Sequence, residues 1–101
     1  MKSDTIAEVS IDTSGRLHVR PKHEEFSQVW RAAMEVSWSE DSSTLYSPPP
    51  REWSYVDWYR QIVAAAKDEY GCTLLLIPET SWVNVPADVQ QSVIAVARIE
   101  A

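Results

Sequence analysis

The side chains best suited to chemistry are few and widely spaced in this sequence. The two histidines, His18 and His23, lie on either side of Pro21. A metal ion needs several imidazole, thiolate or carboxylate ligands that converge on one point, so these histidines would need distant carboxylates and we expect no metal site. The single cysteine, Cys72, begins an apolar run, where a thiol is usually an inert core group and not a nucleophile.

Carboxylates are the other groups that could act in catalysis, as a general acid and base. The candidates are Glu52, Asp57, Glu69 and Glu79, but their spacing does not single out a pair. The sequence has no nucleophile-elbow motif, and with only two glycines it has no glycine-rich phosphate loop. The sequence therefore favours a protein without catalytic residues or a cofactor.

Aromatic side chains give a stronger signal, because five tryptophans and four tyrosines are many for 101 residues. Trp53, Tyr55, Trp58 and Tyr59 occur together, and Trp82 follows in a non-periodic segment. They either fill a small core or form a partly exposed patch of the kind that marks protein interfaces and apolar pockets. On the second interpretation Trp53, Tyr55, Trp58 and Trp82 are binding residues, and Trp53 and Trp82 are the exposed members.

The charge of the chain limits its partners. The net charge is −6, and an acidic surface repels phosphate backbones, so we expect no nucleic-acid binding. Residues 23–50 carry one basic and five acidic residues. This charge either aids solubility alone or lets residues 24–41 present an acidic face to a basic partner. The binding residues on that face would be Glu24, Glu25, Glu40 and Asp41.

A helix must position the aromatic residues. Apolar residues between Tyr55 and Tyr70 recur at offsets of three and four, which places them on one helical face. Ser54 can cap the helix N-terminus together with Asp57, and Gly71 can close the C-terminus in the left-handed conformation. We therefore expect a helix over residues 54–70.

The elements before this helix are two predicted β-hairpins and a short helix. In chain order they are strands 5–12 and 16–20, helix 24–33, and strands 34–39 and 44–46. Strict alternation places Ala7, Val9 and Ile11 on one side of the first strand. A stiff proline connector, residues 47–50, leads into the long helix; a proline-rich ligand for another protein's aromatic groove is the alternative interpretation.

The apolar run 72–77 predicts a central strand that is buried on both faces, since Gly71 and Pro78 bound it. Residues 78–85 are expected to form a loop, and a last helix starts at Pro86 with an inward stripe of Val89, Val93 and Val96. The sequence thus predicts a single α+β domain over residues 1–101 with the order ββ(α)ββαβα. Its sheet has four to five largely antiparallel strands, with the two main helices packed on one face.

The chain has no apolar run of about 18 residues that could span a membrane. Its first ten residues lack the apolar core of a signal peptide, and one cysteine cannot form a disulfide within the chain. We expect a cytoplasmic protein with no membrane association.

Three segments together resemble a known type of small bacterial protein. They are LYSPPPREWSYVDWY at residues 45–59, EYGC at 69–72 and ETSWVNVP at 79–86. The resemblance is to products of mobile integron gene cassettes and to immunity proteins of toxin systems, which are short, acidic, rich in tryptophan and free of catalytic motifs. It implies a bacterial accessory protein and assigns no functional residue.

Two functions from different classes remain. The first is a non-enzymatic module that binds a basic protein such as a nuclease toxin, in which acidic groups speed encounter and aromatic anchors hold the partner. The alternative is a small-molecule pocket lined by the four aromatic binding residues, with or without catalysis. We also expect a homodimer, since the aromatic total exceeds what one small core holds. Its contacts would come from Trp30, Trp38, Trp53 or Trp82.

Overall fold

The computed structural model describes residues 2–31 and 35–100, with the last three of these as backbone only. The elements in chain order are β1 (Lys2–Ile11), β2 (Leu17–Pro21), a 3-10 turn (Val29–Arg31), β3 (Ser37–Ser39), β4 (Thr44–Tyr46), α1 (Tyr55–Tyr70), β5 (Cys72–Leu75), β6 (Ser81–Val83) and α2 (Ala87–Glu100). The predicted α+β class is confirmed.

One mostly antiparallel sheet joins the six strands. Its order is β3-β4-β2-β1-β5, and β6 also pairs with β1. The pairs β1–β2, β2–β4 and β3–β4 are antiparallel, whereas β1 pairs in parallel with both β5 and β6. Helices α1 and α2 pack together against this sheet. Within the described residues neither helix is long and apolar enough to cross a lipid bilayer.

Helix α1 forms where the sequence predicts it. The Ser54 hydroxyl accepts a hydrogen bond from the Asp57 amide, and the Asp57 carboxylate accepts one from the Ser54 amide, which completes a capping box. Gly71 closes the helix with a φ of 62°. The buried face of α1 consists of Trp58, Tyr59, Ile62, Ala65 and Ala66.

The first hairpin departs from strict alternation. A register irregularity lies between Ile6 and Glu8 in the pairing of β1 with β2. Because the extra residue shifts the side-chain order by one position, both Ile6 and Val9 are fully buried. The prediction that Ala7 and Val9 share a face opposite Ile6 is therefore wrong, whereas Leu17 and Val19 of β2 point into the core as expected.

The helix predicted over 24–33 does not form in its described part, where only the 3-10 turn Val29–Arg31 is present. One helical bond is replaced by a tertiary one, because the Gln28 amide donates to the Tyr70 hydroxyl at 2.8 Å instead of to a carbonyl one turn earlier. The buried Asp4 carboxylate accepts hydrogen bonds of 2.8 Å from the amides of both His23 and Glu24. Distant groups thus bind the amides of this segment, and the helical spacing of its apolar residues was misleading.

Part of this region lies outside the described residues. That part comprises residues 32–33 of the predicted helix and Met34 of the predicted strand 34–39. The remainder of that strand is β3, which begins at Ser37. The return strand β4 has the predicted bounds.

Strand β5 is not the central strand that its apolar sequence predicts. In the described part of the chain it pairs with β1 alone and lies at the end of the sheet order. Cys72 and Leu74 are buried, but Leu75 is 40% exposed, and the strand ends there instead of at Ile77. Only one face of the apolar run is therefore buried, and the other face is exposed to solvent.

Strand β6 lies inside the segment that was predicted to be a loop. Strand β1 pairs with β5 over Lys2–Thr5 and with β6 over Glu8–Ser10. The last helix follows as predicted: α2 begins directly after Pro86, and Val93 is fully buried.

The connection from β5 to β6 is closed by a buried threonine. Thr80 donates a hydrogen bond of 2.7 Å from its hydroxyl to the Ile6 carbonyl, at the position where the parallel ladder is interrupted. The same oxygen accepts a bond from the Ile77 amide at 3.1 Å. One side chain thus replaces the missing rung between the two parallel segments.

Candidate binding site

The start of α1 lies against the turn between β1 and β2. Tyr55 donates its hydroxyl proton to the Gly15 carbonyl at 2.9 Å. Gly15 has a φ of 86°, which only glycine adopts readily. This contact places the aromatic cluster at the end of the sheet where β1 stops.

Trp53 and Trp58 form an aromatic pair with one exposed and one buried ring. Their ring centroids are 4.8 Å apart with an interplanar angle of 46°. Trp58 is 7% exposed and belongs to the core, whereas Trp53 is 45% exposed. The exposure predicted for Trp53 is confirmed. The indole Nε1–H of Trp58 is buried and has no acceptor among the described residues.

Trp82 does not have the full exposure predicted from its position in a loop. It lies in β6 opposite Val9, whose side chain is in the core. Trp82 is therefore half-buried and packs against the core. The difference arises because successive side chains of a strand point to opposite faces. Neighbouring Val83 lies on the exposed face, and Trp82 lies on the other.

A cleft of about 490 Å³ lies beside the two tryptophans, and we call it the Trp53 cleft. It is lined by Glu35, Pro48, Pro49, Arg51, Glu52, Trp53 and Trp58. It combines aromatic rings, two carboxylates and one guanidinium. The proline connector that leads into α1 thus forms one wall of the cleft. Residues 51–53, which lie between the connector and the helix, form another.

The two carboxylates of the Trp53 cleft are unengaged. Within the described chain, neither Glu35 nor Glu52 takes part in an ion pair or a side-chain hydrogen bond, and both residues are exposed. Other glutamates are paired: Glu24 contacts Lys2 at 2.9 Å. Sequence reasoning considered Glu52 only as an acid–base candidate and did not associate Glu35 with Trp53, since no local spacing connects them.

A larger groove of about 1130 Å³ runs along β5 between the two helices. Its lining is mainly aliphatic, from residues 73–78 and from Ile94 and Ala97 of α2, with Trp53 and Trp82 also contributing. The exposed fractions of Leu75 and Trp53 mean that the groove is open to solvent and is not a closed cavity.

The acidic residues predicted to bind lie away from the aromatic cluster. Strands β1 and β4 run in the same direction, because both are antiparallel to β2. The turn with Glu40 and Asp41 therefore precedes β4 on the side toward the start of β1, level with the middle of that strand. Hydrogen bonds to Asp4 hold Glu24 near the start of β1. None of these acidic residues lines the Trp53 cleft.

A chain of polar side chains crosses the hairpins, and sequence reasoning missed it. His18 Nε2 lies 2.8 Å from the Asp12 carboxylate, and its Nδ1 lies 2.8 Å from the Thr44 hydroxyl. Burial acts to raise the pKa of Asp12, but hydrogen bonds from His18 and from the Arg16 and Ser14 amides outweigh it and hold that pKa below its ordinary value.

This carboxylate–imidazole–hydroxyl chain has the parts of a nucleophilic site but not the access. Thr44 is only 5% exposed, and neither the Trp53 cleft nor the larger groove reaches it. The ring of Tyr46 stacks on His18 with centroids 5.2 Å apart. The arrangement therefore stabilises the adjoining strands.

Three of the remaining chemical candidates are engaged in structure, whereas Glu79 is exposed. Burial raises the pKa of the Cys72 thiol, and the nearby Glu24 and Asp4 carboxylates raise it further, so the thiol stays protonated. Asp57 caps α1, and Glu69 lies 3.4 Å from Arg31. In the part of the chain that the structure describes, no three metal-binding side chains come together.

Comparison with known proteins identifies relatives of the integron-cassette type. The family model described as Integron Cassette Protein Hfx_Cass5 matches residues 4–80. A solved structure titled "Structure from the mobile metagenome of North West Arm Sewage Outfall: Integron Cassette Protein Hfx_Cass5" is 46% identical, with 97% of this chain and 98% of that chain covered and a TM-score of 0.49. Comparison with curated proteins gave no match. The predicted resemblance to integron gene-cassette products is confirmed, and this chain belongs to the Hfx_Cass5 integron cassette protein family.

Proposed function

We propose that the protein is a non-enzymatic binding module that holds a protein partner at the Trp53 cleft. The observation that carries this proposal is the exposure of Trp53, which leaves 45% of a large aromatic residue in solvent. Beside it lie two carboxylates that have no ion-pair partner among the described residues. Aromatic residues with a fixed, packed base are typical centres of protein interfaces. Trp53 has such a base in the buried ring of Trp58.

The non-enzymatic part of the proposal is supported by the state of the candidate catalytic groups. Cys72 is buried, and the Thr44 hydroxyl beside His18 is almost fully covered. A substrate could not contact either oxygen or sulfur atom without rearrangement of the sheet. Binding through exposed groups requires no such rearrangement.

The partner in this proposal is a basic protein, and the acidic residues predicted to bind contribute to encounter. Glu24, Glu25, Glu40 and Asp41 do not line the Trp53 cleft. They therefore act through the overall field of the acidic chain and not through the same contact. Neutralising all four, as Glu→Gln and Asp→Asn, should slow association at low salt. An unchanged association rate would remove the electrostatic part of the proposal.

Affinity capture from a bacterial lysate tests the proposal. Three baits are compared: the unaltered protein, Trp53→Ala, and Trp30→Ala as the matched control. Trp30 is 57% exposed, but the 3-10 turn that carries it lies near the C-terminal end of α1, where Arg31 contacts Glu69. We expect a retained polypeptide that Trp53→Ala loses and Trp30→Ala keeps. Equal retention by all three baits would defeat the proposal.

The larger groove supports a second candidate function, which is binding of an apolar small molecule. Its aliphatic walls and the ring of Trp82 match such a ligand. The probe is 8-anilinonaphthalene-1-sulfonate, whose fluorescence rises in apolar sites. Enhancement that Leu75→Ser abolishes would favour this candidate, and its absence would leave the groove without support as a ligand site.

Self-association is the remaining part of the proposal. Trp30 and Trp53 are exposed, while Trp38 and Trp82 are half-buried, so the first two would supply the dimer contacts. Two copies repel through their net charge of −6, and salt screens this repulsion. Sedimentation equilibrium over a wide concentration range should give a dimer mass at high concentration. A monomer mass throughout would remove the dimer.

A further inference from the structure

We infer that the Trp53 cleft is a site for an organic cation, and that its occupant is an arginine or lysine side chain of the protein partner. The inference rests on the proposed function and adds the chemistry of recognition. The observations that carry it are the aromatic pair and the two carboxylates, which have no ion-pair partner within the described chain.

The aromatic surfaces suit a cation. The faces of tryptophan rings carry negative charge density, and they attract an ammonium or guanidinium group within about 6 Å of the ring centroid. Trp53 and Trp58 contact each other at a centroid distance of 4.8 Å, so a ligand does not insert between them. It meets the surface that each ring turns toward the cleft. The buried position of Trp58 fixes the orientation of the pair before binding.

The charges of the cleft also favour a cation. Glu35 and Glu52 supply two carboxylates and Arg51 one guanidinium. Within the described chain both carboxylates lack an ion-pair partner, so an entering cation does not have to break an existing pair. Arg51 is the competing positive charge in the same cleft.

The proline wall supplies acceptors and no amide donors. Pro48 and Pro49 line the cleft, and proline has a carbonyl but no N–H group. The first turn of α1 does not create an anion site nearby, because the Asp57 carboxylate already accepts the Ser54 amide and offsets the positive end of the helix. The two prolines and the capped helix start therefore add no donor for an anion to this cleft, and Arg51 supplies its one basic side chain.

The direct test uses two blocked pentapeptides that differ only in charge. Each has a central residue between glycines, arginine in one and the neutral isostere citrulline in the other. Binding is followed through the indole Nε1–H signal of Trp53 in ¹H–¹⁵N spectra. We expect the arginine peptide to saturate at about millimolar concentration and the citrulline peptide to bind roughly 3- to 30-fold more weakly. Equal binding of the two peptides would overturn the inference.

Three variants test the parts of the cleft separately, and each has its own expected direction of change in arginine-peptide affinity. Trp53→Ala should weaken arginine binding roughly 3- to 30-fold, followed through the Trp58 indole signal, and Glu35→Gln/Glu52→Gln should weaken it by roughly a similar factor. Arg51→Gln should strengthen it, because the competing charge is removed. If Arg51→Gln instead abolishes binding, and a glutamate peptide binds the unaltered protein, the cleft is an anion site and the inference is wrong.

The controls separate this inference from the proposed function. Asp68→Asn/Glu79→Gln removes two exposed charges that do not line the cleft and should leave peptide affinity unchanged at moderate salt. Trp53-dependent capture of a protein without discrimination between arginine and citrulline would refute the cation site and keep the binding module. Discrimination between the peptides without any Trp53-dependent capture would keep the cation site and refute the protein partner.

Discussion

Replacing Thr80 with valine should reveal how the interrupted parallel ladder is held. The substitution preserves shape and removes one oxygen, which donates to the Ile6 carbonyl and accepts from the Ile77 amide. Ile6 is fully buried, so its carbonyl would lose a partner that water cannot replace, at about 1–3 kcal/mol. Ile77 is half-buried, so water can partly replace the lost bond to its amide. This amide therefore contributes less to the loss of stability. We expect the free energy of unfolding to fall by about 2–3 kcal/mol.

Urea unfolding followed by tryptophan fluorescence measures this loss. With a slope of about 1–3 kcal/mol/M for a small protein, the midpoint should fall by about 1–2 M at unchanged slope. Thr80→Ser is the matched control, because it keeps the oxygen and loses one methyl group, at about 1 kcal/mol or less. If the valine variant is as stable as the serine variant, the hydroxyl does not bridge the two parallel segments and the reasoning is wrong.

Two further predictions concern stability. Leu74→Ala should lower the free energy of unfolding by about 2–5 kcal/mol, while Leu75→Ala should cost far less because that side chain is 40% exposed; equal losses in urea unfolding would contradict the burial of only one face of β5. The pKa of Asp12 is lowered in the folded protein, so its stabilising effect is complete above the unfolded-state pKa and is lost as pH falls through the folded-state value. Asp12→Asn should flatten the fall of the urea midpoint below about pH 4, and an unchanged acid profile would contradict a lowered pKa of Asp12 in the folded protein.

Local signals predicted the elements whose ends are set by neighbouring residues. Helix α1 has its capping residues within three positions of its start and a glycine directly after its end, so Ser54 and Gly71 identify it without knowledge of the fold. The first hairpin was predictable for the same reason, since the turn residues and the alternation of β2 are local.

Features that depend on distant partners were not predictable. The irregularity between Ile6 and Glu8 arises where β1 changes partner from one parallel segment to the next, and no local pattern marks it. Strand β6 has three residues, and its extended conformation depends on pairing with β1. The residues around it are typical of a loop, so the sequence did not indicate a strand there. The apolar run after Gly71 predicted a central strand, but β5 lies at the end of the sheet order. The sequence alone does not show whether a strand is paired on one side or on both.

The candidate site was predictable in its aromatic part only. The non-periodic position of Trp53 indicated exposure, and its place two residues before α1 put it close to Trp58 in the sequence. The approach of Glu35 to the start of α1 depends on how the second hairpin packs, and the connector after β4 brings Glu52 to the same cleft. Net charge along the sequence pointed instead to residues that do not line this cleft.

The measurement that tests the central claim most directly is the dissociation constant of the captured partner, determined by calorimetry with purified proteins. We expect Trp53→Ala to weaken binding by about 2 kcal/mol or more, which is roughly 30-fold, and Trp30→Ala to leave it unchanged. Equal dissociation constants for the unaltered protein and Trp53→Ala would contradict the assignment of the Trp53 cleft as the binding site.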